Sequence, residues 1–186
     1  MRFAMITLLA LAAAVAPRAP ISAADGYAGQ QARAIKALAS EDVADLLAGR
    51  GMGLAKAGEL NHYPGPAHVI ELRDKLDLTP GQLSAVQASF ERMSAAAKPL
   101  GAELIERERA LDRAFADGTV TGDTLADATA AIGALQGRLR AVHLVAHLET
   151  RAVLTPAQIA RYDTLRGYSD VTLGPSEPSP HHHHGG

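Results

Sequence analysis

Leu78-Thr79-Pro80-Gly81-Gln82 and Leu154-Thr155-Pro156-Ala157-Gln158 are two copies of one instruction, the start of an α-helix. In each copy the threonine is an N-cap and the proline takes the first helical position, where a missing N–H costs nothing. The glutamine sits three residues after the cap, where its side chain can return a hydrogen bond and close a capping box. Leu78 with Leu83, and Leu154 with Ile159, have the spacing of a hydrophobic staple. Both starts carry all three devices.

Outward from the first copy, the pattern predicts a long helix from Pro80 to about Ala116. Leu83, Val86, Phe90, Met93, Ala97, Leu100, Leu104, Leu111 and Phe115 recur mostly in alternating threes and fours, a heptad-like seam. Pro99 is expected to kink it. Glu103, Glu106, Arg107, Glu108 and Arg109 read as a solvated face. Asp117-Gly118 stops the helix, and a second begins near Asp123 with Leu125, Ala128, Ile132, Leu135, Leu139, Val142 and Ala146 inside. So short a connection makes the two helices an antiparallel hairpin. Facing residue numbers then sum to about 239, since both helices rise about 1.5 Å per residue. Both motifs therefore fall at the open end, where a last helix, Pro156 to Arg166, folds back and stops at Gly167.

No stretch alternates like a strand, so the fold is expected to be all-α, a long antiparallel helical hairpin with short flanking helices. Two apolar seams exceed what one hairpin can bury, which predicts a homodimer, a four-helix-type assembly. Residues 25–65 form a helical segment broken by Gly49, Gly51 and Gly53, with Ser40 as a cap before Val43, Leu46 and Leu47. After the turn Asn61-His62-Tyr63-Pro64-Gly65-Pro66, a short helix carries Val69, Ile70 and Leu72 and ends near Asp77. Residues 66–168 make up the hairpin domain, and 169–186 a disordered Pro- and His-rich tail.

At the amino terminus, Arg2, an uncharged apolar run from Phe3 to Ala16 and the small residues Ser22-Ala23-Ala24 suit a cleaved secretory signal over residues 1–24. The alternative, a membrane anchor, needs about 20 apolar residues. Cleavage would remove two of the 18 basic residues and none of the 20 acidic ones, leaving a net charge of −4. Nucleic acid is not expected as a partner on that charge. Export permits disulfides, yet the chain has no cysteine, so packing alone holds the fold.

Histidine is the informative ligand-type residue. His143 and His147 are one helical turn apart on one face, a spacing from which two imidazoles can hold one divalent transition metal, Zn, Ni, Co or Cu. The register brings Glu91 and Met93 within a turn of them. The alternative is that the pair lines the edge of the core or complements the helix C-terminus. His68, one turn from Glu71, could add a ligand or sit on a helix surface. His181, His182, His183 and His184 read as a native metal-gathering tail rather than a purification tag, because the initiating Met and signal segment are retained. His143-Leu144-Val145-Ala146-His147 lacks the glutamate of a zincin, Gly51-Met52-Gly53 lacks the lysine of a phosphate loop, and no serine sits in a nucleophile elbow. The chain is not expected to be an enzyme.

The paired motifs, Leu78, Thr79 and Gln82 with Leu154, Thr155 and Gln158, together with the hairpin between them, resemble the Spy/CpxP superfamily of extracytoplasmic stress and heavy-metal-resistance proteins. Its hallmark is two Leu-Thr-x-x-Gln motifs, and the resemblance covers residues 66–168. It implies a small periplasmic protein that dimerises as a curved helical cradle. Members bind unfolded clients without ATP, restrain envelope-stress kinases, or bind metals through His, Met and carboxylate; the metal-binding branch is similar in placing ligands on the second long helix. The leading expectation is a periplasmic heavy-metal-binding resistance or sensor protein. The alternatives are an ATP-independent chaperone (a holdase) for unfolded client proteins, or a regulator docking on a membrane sensor kinase or anti-sigma partner. The acidic mature chain disfavours the chaperone, whose client-binding cradle is expected to be basic.

Overall fold

The computed structural model describes residues 27–168, and the chain falls into two units, residues 1–31 and 32–186. In the described part of the first unit, residues 27–31, a turn leads into a 3-10 helix that starts at Gln30, whose N–H donates to Tyr27 O (3.0 Å). The signal segment 1–24, the tail 169–186 and its four histidines lie outside the described residues.

The second unit is helical: α1 Ser40–Ala48, α2 Lys56–Glu59, α3 Pro66–Glu71, α4 Pro80–Ala116, α5 Gly122–Val153 and α6 Pro156–Arg166. Among the described residues there is no strand, only an isolated bridge between Ile35 and Leu38. The all-α hairpin expected from the sequence is therefore present. α4 has 37 residues and runs through Pro99 without a break, about 55 Å at the usual rise. No helix among the described residues is long and apolar enough to cross a membrane.

Both motif-encoded starts form as written. The Gln82 N–H donates to Thr79 Oγ1 (3.2 Å) and the Thr79 N–H to Gln82 Oε1 (3.1 Å). The same pair of bonds joins Gln158 and Thr155 at 3.2 and 3.0 Å. Gly167 ends α6 in a left-handed conformation, φ 73°.

Two apolar clusters organise the unit. The larger joins Ile35 and Leu46 to Ala97, Leu100, Leu104 and Ile105 of α4 and to Ile132, Leu135 and Leu139 of α5. Here α1 comes close enough to α4 that a Cβ on Gly101 would lie 2.3 Å from Leu46 O. Only glycine permits that approach in mid-helix. The smaller cluster, Val69, Leu76, Val86, Leu154 and Tyr162, closes the open end, with Leu78 and Ile159 packed on it.

Three local expectations are corrected. The N-cap of α1 is Ala39, not Ser40, and the Asp42 carboxylate accepts the Ala39 N–H (2.9 Å); aspartate in the first turn reaches back where the serine cannot. The helix after Pro66 ends at Glu71, and turns then lead to Leu78, with Asp77 left-handed at φ 49°. Phe115 is 57% exposed, because near the connection α4 has only the start of α5 beside it.

Candidate functional site

Between the two clusters, α5 buries two imidazoles on a seam that otherwise holds aliphatic residues and Thr150. His143 and His147 are 3% and 9% exposed. Their helical spacing puts both on one face, and that face is covered by the glycine-rich segment that precedes α3. A Cβ on Gly51 would lie 3.6 Å from His143 Nδ1, and one on Gly58 3.5 Å from His147 Cβ. One on Gly65 would lie 2.9 Å from His147 Cε1, a clash, so Gly65 is required by the approach of the ring. The three glycines stand seven residues apart, each over one imidazole.

The two rings differ in their partners. His147 Nδ1 lies 2.7 Å from Tyr63 O, and since a carbonyl only accepts, that nitrogen carries the proton. In the neutral ring Nε2 then keeps a lone pair, the tautomer that suits a metal ligand. His143 Nε2 is buried with no hydrogen-bond partner. Burial first, and the neighbouring His147 second, push the His143 pKa below its ordinary 6.5, so the ring is held as a neutral base.

A carboxylate organises the same region, and it is not one the sequence pointed to. Glu59, at the end of α2, has a side chain only 12% exposed. Its Oε1 accepts from the hydroxyls of Tyr162 (2.5 Å) and Tyr168 (3.0 Å) and lies 3.5 Å from His68 Nδ1 and 3.6 Å from Arg166 Nε. Its Oε2 accepts the Gly65 N–H (3.0 Å) and lies 3.7 Å from His147 Nδ1. Burial alone would raise this carboxyl, but hydrogen bonds from His68, Tyr162 and Tyr168 outweigh it and hold the pKa at about 2. Tyr162 moves the other way, pushed up by burial and by donating to the Glu59 anion.

Of the other residues singled out from the sequence, His68 faces Glu59 and the Tyr162 hydroxyl (3.3 Å), not Glu71. Glu91 is exposed and Met93 half-buried on α4. Arg92, which the register set opposite His147, instead meets Glu149 (2.7 Å), as does the Ser89 hydroxyl (2.6 Å). Among the described residues no three His, Cys, Asp or Glu side chains are grouped so as to hold a metal ion. Glu59 lies between two histidines, yet its carboxylate already accepts from two hydroxyls and one amide. The donors that fit a metal here are thus the two α5 imidazoles: one nitrogen buried without a partner, the other ring oriented by a backbone carbonyl. The seven-residue glycine spacing was the signal in the sequence for a covered site; the role of Glu59 had none.

The motif glutamines form a second polar centre. Gln82 Nε2 donates to Gln158 Oε1 (2.8 Å) and Gln158 Nε2 returns a bond to Gln82 Oε1 (3.1 Å). The remaining amide protons go to Val153 O (3.0 Å) and Leu76 O (3.1 Å). With the bonds from Thr79 and Thr155, each carboxamide is fully used. The two copies of the motif therefore fasten the hairpin's open end to itself.

The described residues form a helical hairpin clasped by its paired motifs, with two buried imidazoles on the second long helix. The chain matches the heavy-metal resistance family over residues 46–161, more than half its length, and belongs to that family. This agrees with the resemblance seen in the two motifs. No curated protein and no solved structure matches the chain.

Proposed function

We propose that this is a periplasmic, non-enzymatic heavy-metal-binding protein of the resistance or sensor type, and that His143 and His147 hold the metal. The observation that carries this is the buried, unpartnered His143 Nε2 one turn from a ring whose Nδ1–H is committed to Tyr63 O. A buried polar nitrogen without a partner costs stability, about 1–3 kcal/mol, and a metal bond would repay it. Imidazole pairs suit Zn(II), Ni(II), Co(II) or Cu(II). Water or the tail residues His181 to His184 complete the coordination; Glu91, Met93 and His68 are secondary candidates. The leader-like residues 1–24 support export to the periplasm.

Calorimetric titration of residues 25–186 and of residues 25–174 with Zn(II), Ni(II) and Cu(II) tests this. Submicromolar binding by the shorter chain at one metal per chain or per dimer, lost in His143→Ala with His147→Ala, is the expected result. Unchanged affinity in that double variant would remove the assignment.

The protein acts as a homodimer in this reading. Ala141, Val145 and Leu148 are exposed along α5 at spacings of four and three, and Val145 and Leu148 are 49% and 56% exposed. That is the strip a second copy would cover. The same strip supports the second reading, a holdase or a regulator docking on a signalling partner. Suppression of client aggregation at substoichiometric protein, with the His143 and His147 variants equally active, would favour the holdase.

A further inference from the structure

The glycine-rich segment of residues 50–65 is tied down by polar links along much of its length. It buries Ala55 and, at its far end, Pro64, and half-buries Leu54 and Tyr63, whereas Met52 and Leu60 stay 40% and 58% exposed. Its grip on α5 and α6 is the Glu59 carboxylate, the bond between Tyr63 O and His147, and a bond between His62 Nδ1 and Asp163 Oδ2 (2.7 Å). Arg151 adds a hydrogen bond to His62 O (3.1 Å), and its guanidinium stacks 4.4 Å from the Tyr63 ring centroid. Left-handed residues bracket the segment: Gly49, Met52 and Gly53 at one end (φ 68°, 45° and 77°) and His62 near the other (φ 66°). Non-glycine residues in that region are strained, and such strain persists only where surroundings enforce it. Elements with few buried apolar contacts open locally at less cost than the core. Gly51 of this segment lies over the His143 ring, which is 3% exposed, on its Nδ1 and Cε1 edge.

The geometry points to residues 50–65 as a gate over the two imidazoles, latched by Glu59, so that a ligand reaches His143 only after the latch releases and the segment swings on its left-handed ends. Glu59 is a positioning residue in this scheme: it touches neither His143 nor the incoming metal but decides how often the gate is open. The coupling to metal rests on the proposal that the histidine pair binds one; the gating of His143 stands without it.

The test uses residues 25–186 and reads His143 directly. Carbethoxylation by diethyl pyrocarbonate, followed by peptide mass spectrometry, gives the modification rate of each histidine. Glu59→Gln is expected to raise the His143 rate about tenfold or more, as loss of hydrogen bonds to a charged group implies, with helicity and amide protection of α4 and α5 unchanged. A second variant does not depend on the latch. A Cβ on Gly58 would lie 3.5 Å from His147 Cβ, within disulfide range, and the chain has no other cysteine. In Gly58→Cys with His147→Cys, the oxidised protein is expected to shield His143 and the reduced protein to expose it. Equal His143 rates in the wild-type and Glu59→Gln proteins, or in the oxidised and reduced forms, overturn the gate. Stopped-flow mixing with Zn(II) separates the two proposals. Faster association in Glu59→Gln supports the gate, and equal association rates count against it. No Zn(II) binding, with His143 still gated, removes the metal reading and leaves the gate standing.

Discussion

The two polar centres of this molecule, the glutamine pair at the open end of the hairpin and the histidine pair one to three turns away along α5, obey opposite rules. Every donor and acceptor of Gln82 and Gln158 has a partner. His143 Nε2 has none. A fully satisfied buried network rigidifies a fold, whereas a half-satisfied one costs stability and persists where something else selects for it. By this criterion the paired motif is architecture, and the unsatisfied histidine beside it is the place where the proposed metal chemistry would sit.

Substitutions can break that contrast. The largest effect is expected at the clasp: Gln158→Ala leaves one amide proton of Gln82, Leu76 O and the Thr155 N–H without partners and should cost about 2–3 kcal/mol in urea unfolding. Gln82→Leu combined with Gln158→Leu should cost less than the two single changes added together, because it leaves no side-chain carboxamide stranded.

Next in size is Glu59→Gln, expected to lower stability by about 1–2 kcal/mol near pH 7, since a carboxamide accepts these hydrogen bonds more weakly than an anion. The folded carboxyl titrates at about 2 against an ordinary 4.5. Its contribution is therefore complete above 4.5 and fades as pH falls from there towards 2. The gap between wild type and variant should close over that window.

The smallest effect, and the sharpest contrast, is expected at His143. In the metal-free protein His143→Leu should be neutral or stabilising by up to about 1 kcal/mol, because it removes a buried polar atom that has no partner. It should also remove a pH dependence. With its folded pKa below 6.5, neutral His143 supports folding above that pH, and the support declines as the unfolded chain takes up its proton below it. Urea titrations between pH 7.5 and 5 should show a wild-type decline that the variant partly loses.

The histidine pair was visible in the sequence as a spacing, and the clasp as two helix starts at one end of the hairpin, without the bonds between them. Capping boxes, helix lengths and hairpin register are set by residues close in the chain, so they could be read. Contacts of Ser89 with Glu149 and of Gln82 with Gln158 fall within about a residue of the register expected from equal helical rise. What could not be read depends on close approach between distant segments. The glutamines were assigned to their own caps, and nothing local says that they also bond each other. Gly101 looks like a helix defect until Leu46 O is seen against it. Glu59 resembles any surface glutamate until α6 brings Tyr162 to it. Glu91 and Met93 were chosen by helical register alone, which gives height along the hairpin but not whether a side chain turns inward.

One measurement bears most directly on the division between architecture and chemistry: urea unfolding of residues 25–186 with and without the tightest-binding of Zn(II), Ni(II) and Cu(II). It would be made on the wild type, Gln158→Ala, and His143→Ala with His147→Ala. At a free metal concentration of 100 times Kd, wild type and Gln158→Ala should each gain about 2.7 kcal/mol, and the histidine variant should gain none. A histidine variant that gains as much as wild type would contradict the account.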